Sequence, residues 1–399
     1  MVAPALPVLD AEFHITNPAE SQIMLSIFVL AYAVGPLFLG PLSEVYGRSP
    51  VLQGANLFYV VFNTACGGAK NRVQMTVFRF LAGIGGSAPL AVCPRGPYPI
   101  DPALNSNGCQ VGGGVLGDLF DSKDRGRAIA IYSLMPLLGP ALGPIAGGFI
   151  AENITWRWIF YAVSCFDGLV LILGTFLLQE TYTPVLLQRK KKELIKQTNN
   201  NALHTQYDDD HKLVTKLGTG FTRPFILLFT QPIVQALAIY LAITYGLTYL
   251  VLSTLSSVFT SVYHESIGIS GLNYISIAVG CYIGAQTSAF VTDRVYRKLT
   301  ARDPEGKGRP EFRIPFILVG AALVPTGILW YGWSAEAHAH WIVPNLGMSV
   351  FSAGLVVVVT SMQAYILDTY TRYAASALAA VGFLRAMAGF GFPLFAPAM

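Results

Sequence analysis

Apolar stretches of about 20 residues, nearly free of charge, recur along the chain with short polar segments between them. Runs of that length predict helices that cross a membrane, because about 20 residues rising 1.5 Å each span the hydrocarbon. Ten are read, near 22–42, 51–69, 74–92 (resuming at 112–117 if interrupted), 127–151, 155–178, 231–255, 270–291, 313–333, 341–366 and 374–397. Val2 to Pro7 is apolar but far too short to cross, and reads as the last third of a span whose beginning is missing. No basic segment precedes it, so no signal peptide is read. The expected fold class is an all-α polytopic membrane protein.

Charge then orients the spans. Arg48; Lys123, Arg125 and Arg127; Arg189 to Arg223; Arg294 to Arg313; and Arg372 fall in alternate loops and hold 20 of the 26 Lys and Arg. The opposite loops hold Lys70, Arg72 and Arg157, with Arg95 in an irregular insert. Such alternation would not survive a miscounted span, and it places the basic loops in the cytoplasm. The longest loop, Gln188 to Arg223, carries Arg189-Lys190-Lys191-Lys192 and Asp208-Asp209-Asp210 and separates five spans from five. It reads as a solvated linker beside an anionic leaflet. The organisation expected is an N-terminal half at 1–187, a central loop at 188–224 and a C-terminal half at 225–399.

Composition decides against a soluble class: 53% of residues are hydrophobic and 12% charged, about half the charged share of soluble domains. No basic patch interleaved with aromatics points to nucleic acid. Five scattered cysteines (Cys66, Cys93, Cys109, Cys165 and Cys281) show neither a disulfide framework nor metal-ligand spacing.

Two runs carry the mechanics. Gly40-Pro41-Leu42-Ser43-Glu44-Val45-Tyr46-Gly47-Arg48-Ser49-Pro50 reads as a tight hairpin between two spans, with Glu44 and Arg48 in the headgroup region. A weaker echo, Asp293-Arg294-Val295-Tyr296-Arg297, follows the corresponding span of the second half, as internal repeats in transporters do. In the second run, Gly139, Gly143 and Gly147 share one helix face and admit a close neighbour, while Pro136, Pro140 and Pro144 bend the helix. Plain helix packing remains the competing reading of that face.

Four segments together resemble the major facilitator superfamily, in particular the fungal members of its 12-span drug:proton antiporter group. They are the Gly40 to Arg48 run, Arg79-Phe80-Leu81-Ala82-Gly83, Gly139-Pro140-Ala141-Leu142-Gly143-Pro144-Ile145-Ala146-Gly147-Gly148, and Glu180-Thr181-Tyr182-Thr183-Pro184. The resemblance implies a major facilitator fold of two pseudo-symmetric six-helix halves, here incomplete at both ends, without most of span 1 and all of span 12. It implies a cytoplasmic gate of Gly40, Glu44, Gly47 and Arg48, with Asp118 as partner of the arginine. It also implies a tight outer seal from Gly139, Pro140, Gly143, Pro144, Gly147 and Gly148. Relatives would run from Val92 almost directly into Gly112, so Cys93 to Val111, polar and proline-rich, reads as a retained intron or faulty gene model rather than a true loop.

Three ionisable residues lie within spans, where each costs about 2.5–3.5 kcal/mol on insertion scales. Arg79 matches the resemblance's proton-coupling arginine. Asp167 is either a titrating carboxylate or Arg79's counter-ion, and Arg385 reads as a packing or snorkelling residue. Gln231, Gln235, Tyr240, Tyr245, Tyr249, Asn273, Gln286 and Gln363 are cavity candidates, aromatics and amides suited to amphipathic organic molecules. The function expected is proton-coupled export of small organic compounds by alternating access. The alternatives are a transporter of one metabolite, such as a polyamine or siderophore, and an inactive truncated fragment. No phosphate-binding Gly/Lys loop, nucleophile elbow or metal cluster is found, so the protein is not expected to be an enzyme. The proton gradient replaces a cofactor. The expected partners are the bilayer, protons and a small organic substrate, in a monomer of the plasma membrane.

Overall fold

A computed structural model describes residues 2–15, 17–91, 139, 142–178, 180, 183–198, 200, 204, 213–302, 309–370 and 374–396. Among these, no strand forms. Among the described residues seven helices are long and apolar enough to cross a membrane, which fits a solvent that offers the backbone no hydrogen bonds. In chain order the helices are α1 (Leu6–Glu12), α2 (Pro18–Tyr46), α3 (Arg48–Gly67) and α4 (Arg72–Gly86). Next come α5 (142–153), α6 (Arg157–Leu177), α7 (Thr183–Thr198), α8 (Leu213–Thr230) and α9 (Pro232–Val262). The six-residue α10 (Ile267–Leu272), α11 (Ile275–Thr300), α12 (Ile314–Glu336), α13 (Ile342–Thr369) and α14 (Ala374–Phe395) complete the fold.

Local chemistry sets the helix ends. Asn17 caps α2, its side chain accepting from the Ala19 amide at 3.0 Å, and Pro18 occupies the first helical position. The helix then runs 29 residues, about 44 Å at 1.5 Å per residue, so it outreaches a hydrocarbon core of about 30 Å. Gly40 and Pro41 lie inside it, against the expectation of a Gly/Pro-flanked hairpin there. The reversal is confined to Gly47, at φ 101 and ψ 160, a backbone region essentially reserved for glycine. The central loop differs too: its basic run Arg189 to Lys192 lies on α7, and α8 continues to the foot of the next span. The span expected at 74–92 begins as α4 and carries on in a short turn at Ala88–Ala91. Of the span at 127–151, only 139 and the α5 residues are described, and the insert at 93–111 lies outside the described residues.

Packing joins neighbours in sequence and also crosses the bundle. Helix α3 packs on α4 and α6, while α13 lies between α11 and α12. Small residues let backbones touch: a Cβ on Gly284 of α11 would stand 2.6 Å from the Ala353 carbonyl oxygen of α13, the close approach that drives helix association in lipid. Helix α14 rests on α9 and also on α2, where Val29 and Ala33 meet Ala386.

Gly47→Ala would place a side chain both in a glycine-only conformation and against the Glu180 carboxylate. It is expected to destabilise the protein by about 1–3 kcal/mol, read as an earlier thermal transition of the detergent-solubilised protein, whereas Gly54→Ala, with open space around it, leaves the transition in place.

Candidate functional site

Arg79 projects from α4 into the interior of the helices that precede residue 178. Its guanidinium lies 5.6 Å from the Phe28 ring and 5.9 Å from the Phe160 ring, within cation–π reach. Nη2 donates to the Leu25 carbonyl at 3.3 Å, and Nε is buried without a partner. Asp167 stands on α6, takes a hydrogen bond from Asn56 and keeps Oδ2 buried and unpartnered. Tyr59 of α3 lies within electrostatic reach of both charges. Among the described residues the two form no ion pair with each other or with any other side chain, so the counter-ion reading of Asp167 is not what the geometry shows.

A second cluster forms where α2, α9 and α14 meet. Arg385 Nη1 donates to the Tyr245 hydroxyl at 3.1 Å, and its guanidinium lies 4.4 Å over the same ring. That fixes Arg385 against α9 rather than leaving it to snorkel. Tyr249, one turn further on, packs on Gly389 of α14 and beside Val29 of α2, with Tyr32 in the same group. The cavity candidates do not all converge here. Gln231 caps α9, with the Tyr370 hydroxyl donating to it at 3.5 Å, and Gln235 donates to the Phe229 carbonyl at 3.1 Å. Both lie at the foot of the helix; Gln231 is about 21 Å below Tyr245 at 1.5 Å per residue. Gln286 sits on an exposed face of α11 with Tyr282, Ile283 and Phe290, and Gln363 is half-buried on α13. Tyr240 packs against an apolar cluster with Val234 and Leu241, which Tyr245 also borders. Asn273 is engaged in a hydrogen-bond network beside α10.

The helix ends hold the gate candidates. At the end bearing the basic loops, Glu180 accepts from the backbone amides of Arg48 and Ser49 at 3.1 and 3.2 Å. A carboxylate at the start of α3 satisfies its free amides and suits the helix dipole. Asp118, the expected partner of Arg48, lies outside the described residues, as does the Glu44 side chain. The same end shows a pair that the sequence did not single out. Arg313, before α12, donates from Nε to Asp368 Oδ2 of α13 at 2.6 Å, and lies 5.0 Å over the Tyr296 ring. With 4% and 16% exposure, this ion pair is buried. The signal was an arginine opening one span and an acid closing the next, the relation already proposed for Arg48 and Asp118.

At the opposite end, α5 meets α10. A Cβ on Gly271 would lie 2.9 Å from the Pro144 carbonyl oxygen, and one on Gly148 would lie 2.8 Å from that of Ile267. Glu152 completes the contact, accepting from the Gly268 amide at 2.7 Å and the Ser266 hydroxyl at 3.4 Å. Toward α10 the face presented is Pro144, Gly148 and Glu152, the first two of them members of the expected seal. Gly139 is open to its surroundings, and Pro140 lies outside the described residues. Glu152 was legible as the next step of the four-residue spacing from Pro144 and Gly148.

The family model described as Major Facilitator Superfamily matches residues 1–95 and 107–393, passing over 96–106 within the irregular insert. The chain belongs to the Major Facilitator Superfamily. The efflux pump vrtL of Penicillium aethiopicum is 46% identical over 399 residues, covering 100% of this chain and 75% of that protein. The efflux pump radE of Floropilus chiversii is 37% identical over 396 residues, covering 99% of this chain and 70% of that protein. A crystal structure of a D-xylose-proton symporter matches with a TM-score of 0.62 at 16% identity, over 99% of this chain and 85% of that one. That last likeness concerns the fold. As a member of the Major Facilitator Superfamily, this multi-pass membrane protein is a transporter and not an enzyme.

Removing one partner of the Arg313–Asp368 pair leaves a buried charge unmatched. Arg313→Ala or Asp368→Ala is expected to cost about 3–5 kcal/mol. In a double-mutant cycle followed by thermal unfolding in detergent, the combined change should cost clearly less than the sum of the two.

Proposed function

We propose that the protein is a proton-coupled antiporter that exports small organic compounds by alternating access between its two halves. The observation that carries this reading is the pair of intramembrane charges, Arg79 and Asp167, each with an unpartnered buried atom and no ion pair between them. Charges held inside a membrane without neutralising each other are costly and are kept for function. Asp167 Oδ2 is an acceptor open to a proton, and Arg79 opposes the resulting change of charge across Tyr59. The export direction is supported by the relatives named efflux pumps.

The basic loops are assigned to the cytoplasm, which puts the contact of Glu152 with α10 on the outer side and the Arg313–Asp368 pair on the inner side. On this reading the protein is closed outward at α5 and α10. Tyr245, Tyr249, Tyr32 and Arg385 line the substrate route between the halves, where aromatic faces and one guanidinium suit amphipathic organic molecules. The protein acts as a monomer in the plasma membrane.

Yeast cells expressing the chain should retain less ethidium than control cells, and a protonophore should abolish the difference. Arg79→Ala and Asp167→Asn should each lower the export rate about tenfold or more, the scale of 1.4 kcal/mol in a barrier, with surface expression unchanged. Retention that ignores the protonophore would overturn proton coupling.

A further inference from the structure

A network of polar groups beside α10 is left incomplete. Glu265, in the segment between α9 and α10, accepts on Oε2 from Asn273 Nδ2 at 2.7 Å. Asn273 Oδ1 accepts from Asn345 Nδ2 of α13 at 2.6 Å, and the same amide group donates to the Trp341 carbonyl at 3.0 Å. Asn345 Oδ1, the Tyr263 hydroxyl and the Tyr331 hydroxyl are all buried without a partner. Buried polar groups in folded proteins are nearly all paired, so an orphaned hydroxyl within reach of Glu265, with a second beyond it and an orphaned oxygen at the far end of the network, marks a place where a proton or proton-bearing water belongs. Burial pushes the Glu265 carboxyl above the ordinary glutamate range, against the lowering effect of its bond from Asn273.

The placement gives this carboxylate a lever. Glu265 precedes α10, and Asn273 follows it as the C-cap, so their hydrogen bond staples the six-residue helix at both ends. Helix α10 is also the surface that receives Pro144, Gly148 and Glu152 of α5. Tyr263 of the same segment lies within electrostatic reach of Glu265, Tyr331 of α12 within reach of Tyr263, and His264, next to Glu265 in sequence, is exposed. Tyr274 is occupied by the Leu252 carbonyl at 2.7 Å, and Glu152 approaches the N-terminus of α10 from α5, accepting from Gly268 and Ser266. Among the described residues Glu265 forms no ion pair.

We propose that Glu265, with Asn273, Asn345, Tyr263 and Tyr331, is a proton-binding site that controls the seating of α10 on α5. In the charged form the carboxylate accepts from Asn273 and holds α10 in place. Binding one proton removes the charge, turns an acceptor oxygen into a hydroxyl donor for an orphaned oxygen nearby, and leaves Asn273 Nδ2 without its anionic acceptor. The staple loosens, and α10 leaves Pro144 and Gly148. The proposal rests on proton-coupled transport for its purpose, but its test does not use transport.

Spin labels on Asn153→Cys and Ile269→Cys, both exposed positions, report the α5–α10 separation by electron–electron distance measurement. The detergent-solubilised chain would carry serines in place of its native cysteines. Moving from mildly alkaline to mildly acidic buffer should lengthen the separation along a single titration. Glu265→Gln should hold the long separation at every pH, and Glu265→Asp, eluting as the same monodisperse species, should restore a titration. An unresponsive parent overturns the proposal. So does a Glu265→Gln protein that titrates like the parent, or a response lost with Glu152→Gln and kept with Glu265→Gln. Failure of ethidium export would leave this measurement unaffected, so the two readings fail separately.

Discussion

In hydrocarbon a backbone amide has no water to pair with, and that constraint shapes the rest of this molecule. Every apolar run must close its hydrogen bonds within itself, which leaves helix as the only regular form. It also decides where polar chemistry can sit. The groups a helix cannot satisfy are its first amides and last carbonyls, and these lie at the ends of the bundle. Three carboxylates serve segments distant in sequence at those ends: Glu180 the amides of Arg48 and Ser49, Glu152 that of Gly268, and Glu12 the Trp156 indole and the Arg157 guanidinium. Fold and candidate gate thus arise from the same need.

The sequence was most legible where this constraint acts alone. Among the described residues, seven of the ten expected spans coincide with helices long and apolar enough to cross, and the Asn17–Pro18 start of α2 followed from ordinary capping chemistry. Reading was poorer where tertiary partners override local signals. Gly40 and Pro41 look like turn residues, yet α2 passes through them because Ser43 and Tyr46 still continue the helix and Gly47 can supply the whole reversal in one residue. On α5 the expected seal took in Pro144 and Gly148 but not Glu152, nor α10 as the neighbour, since spacing shows which face is thin but not where the neighbour lies.

The candidate site was legible in its rarest residues and not in its common ones. Arg79, Asp167 and Arg385 stand out because charge inside a membrane is exceptional. Tyrosines and glutamines are not exceptional there, and the eight cavity candidates scattered from the foot of α9 to an exposed face of α11. Tyr245 and Tyr249 alone among them gathered near Arg385. Glu265 escaped notice for the opposite reason: a carboxylate in a loop is ordinary, and only the pairing of Asn273 with Asn345, 72 residues apart, makes it part of a buried network.

Under the proposed alternating access, the strengths of these contacts are arranged as rocking of the halves requires. Arg313 and Asp368 join the start of α12 to the end of α13, adjacent helices of one half, and breaking such a buried pair is worth about 3–5 kcal/mol. The Glu152 bond joins α5 to α10 across the sequence halves at a solvent-exposed rim, where a single charge-assisted contact is worth about 1 kcal/mol or less. The rest of that contact is backbone against backbone at Gly148 and Gly271, with the Phe149 ring against Gly268. Had the strengths been reversed, the halves would deform before they parted.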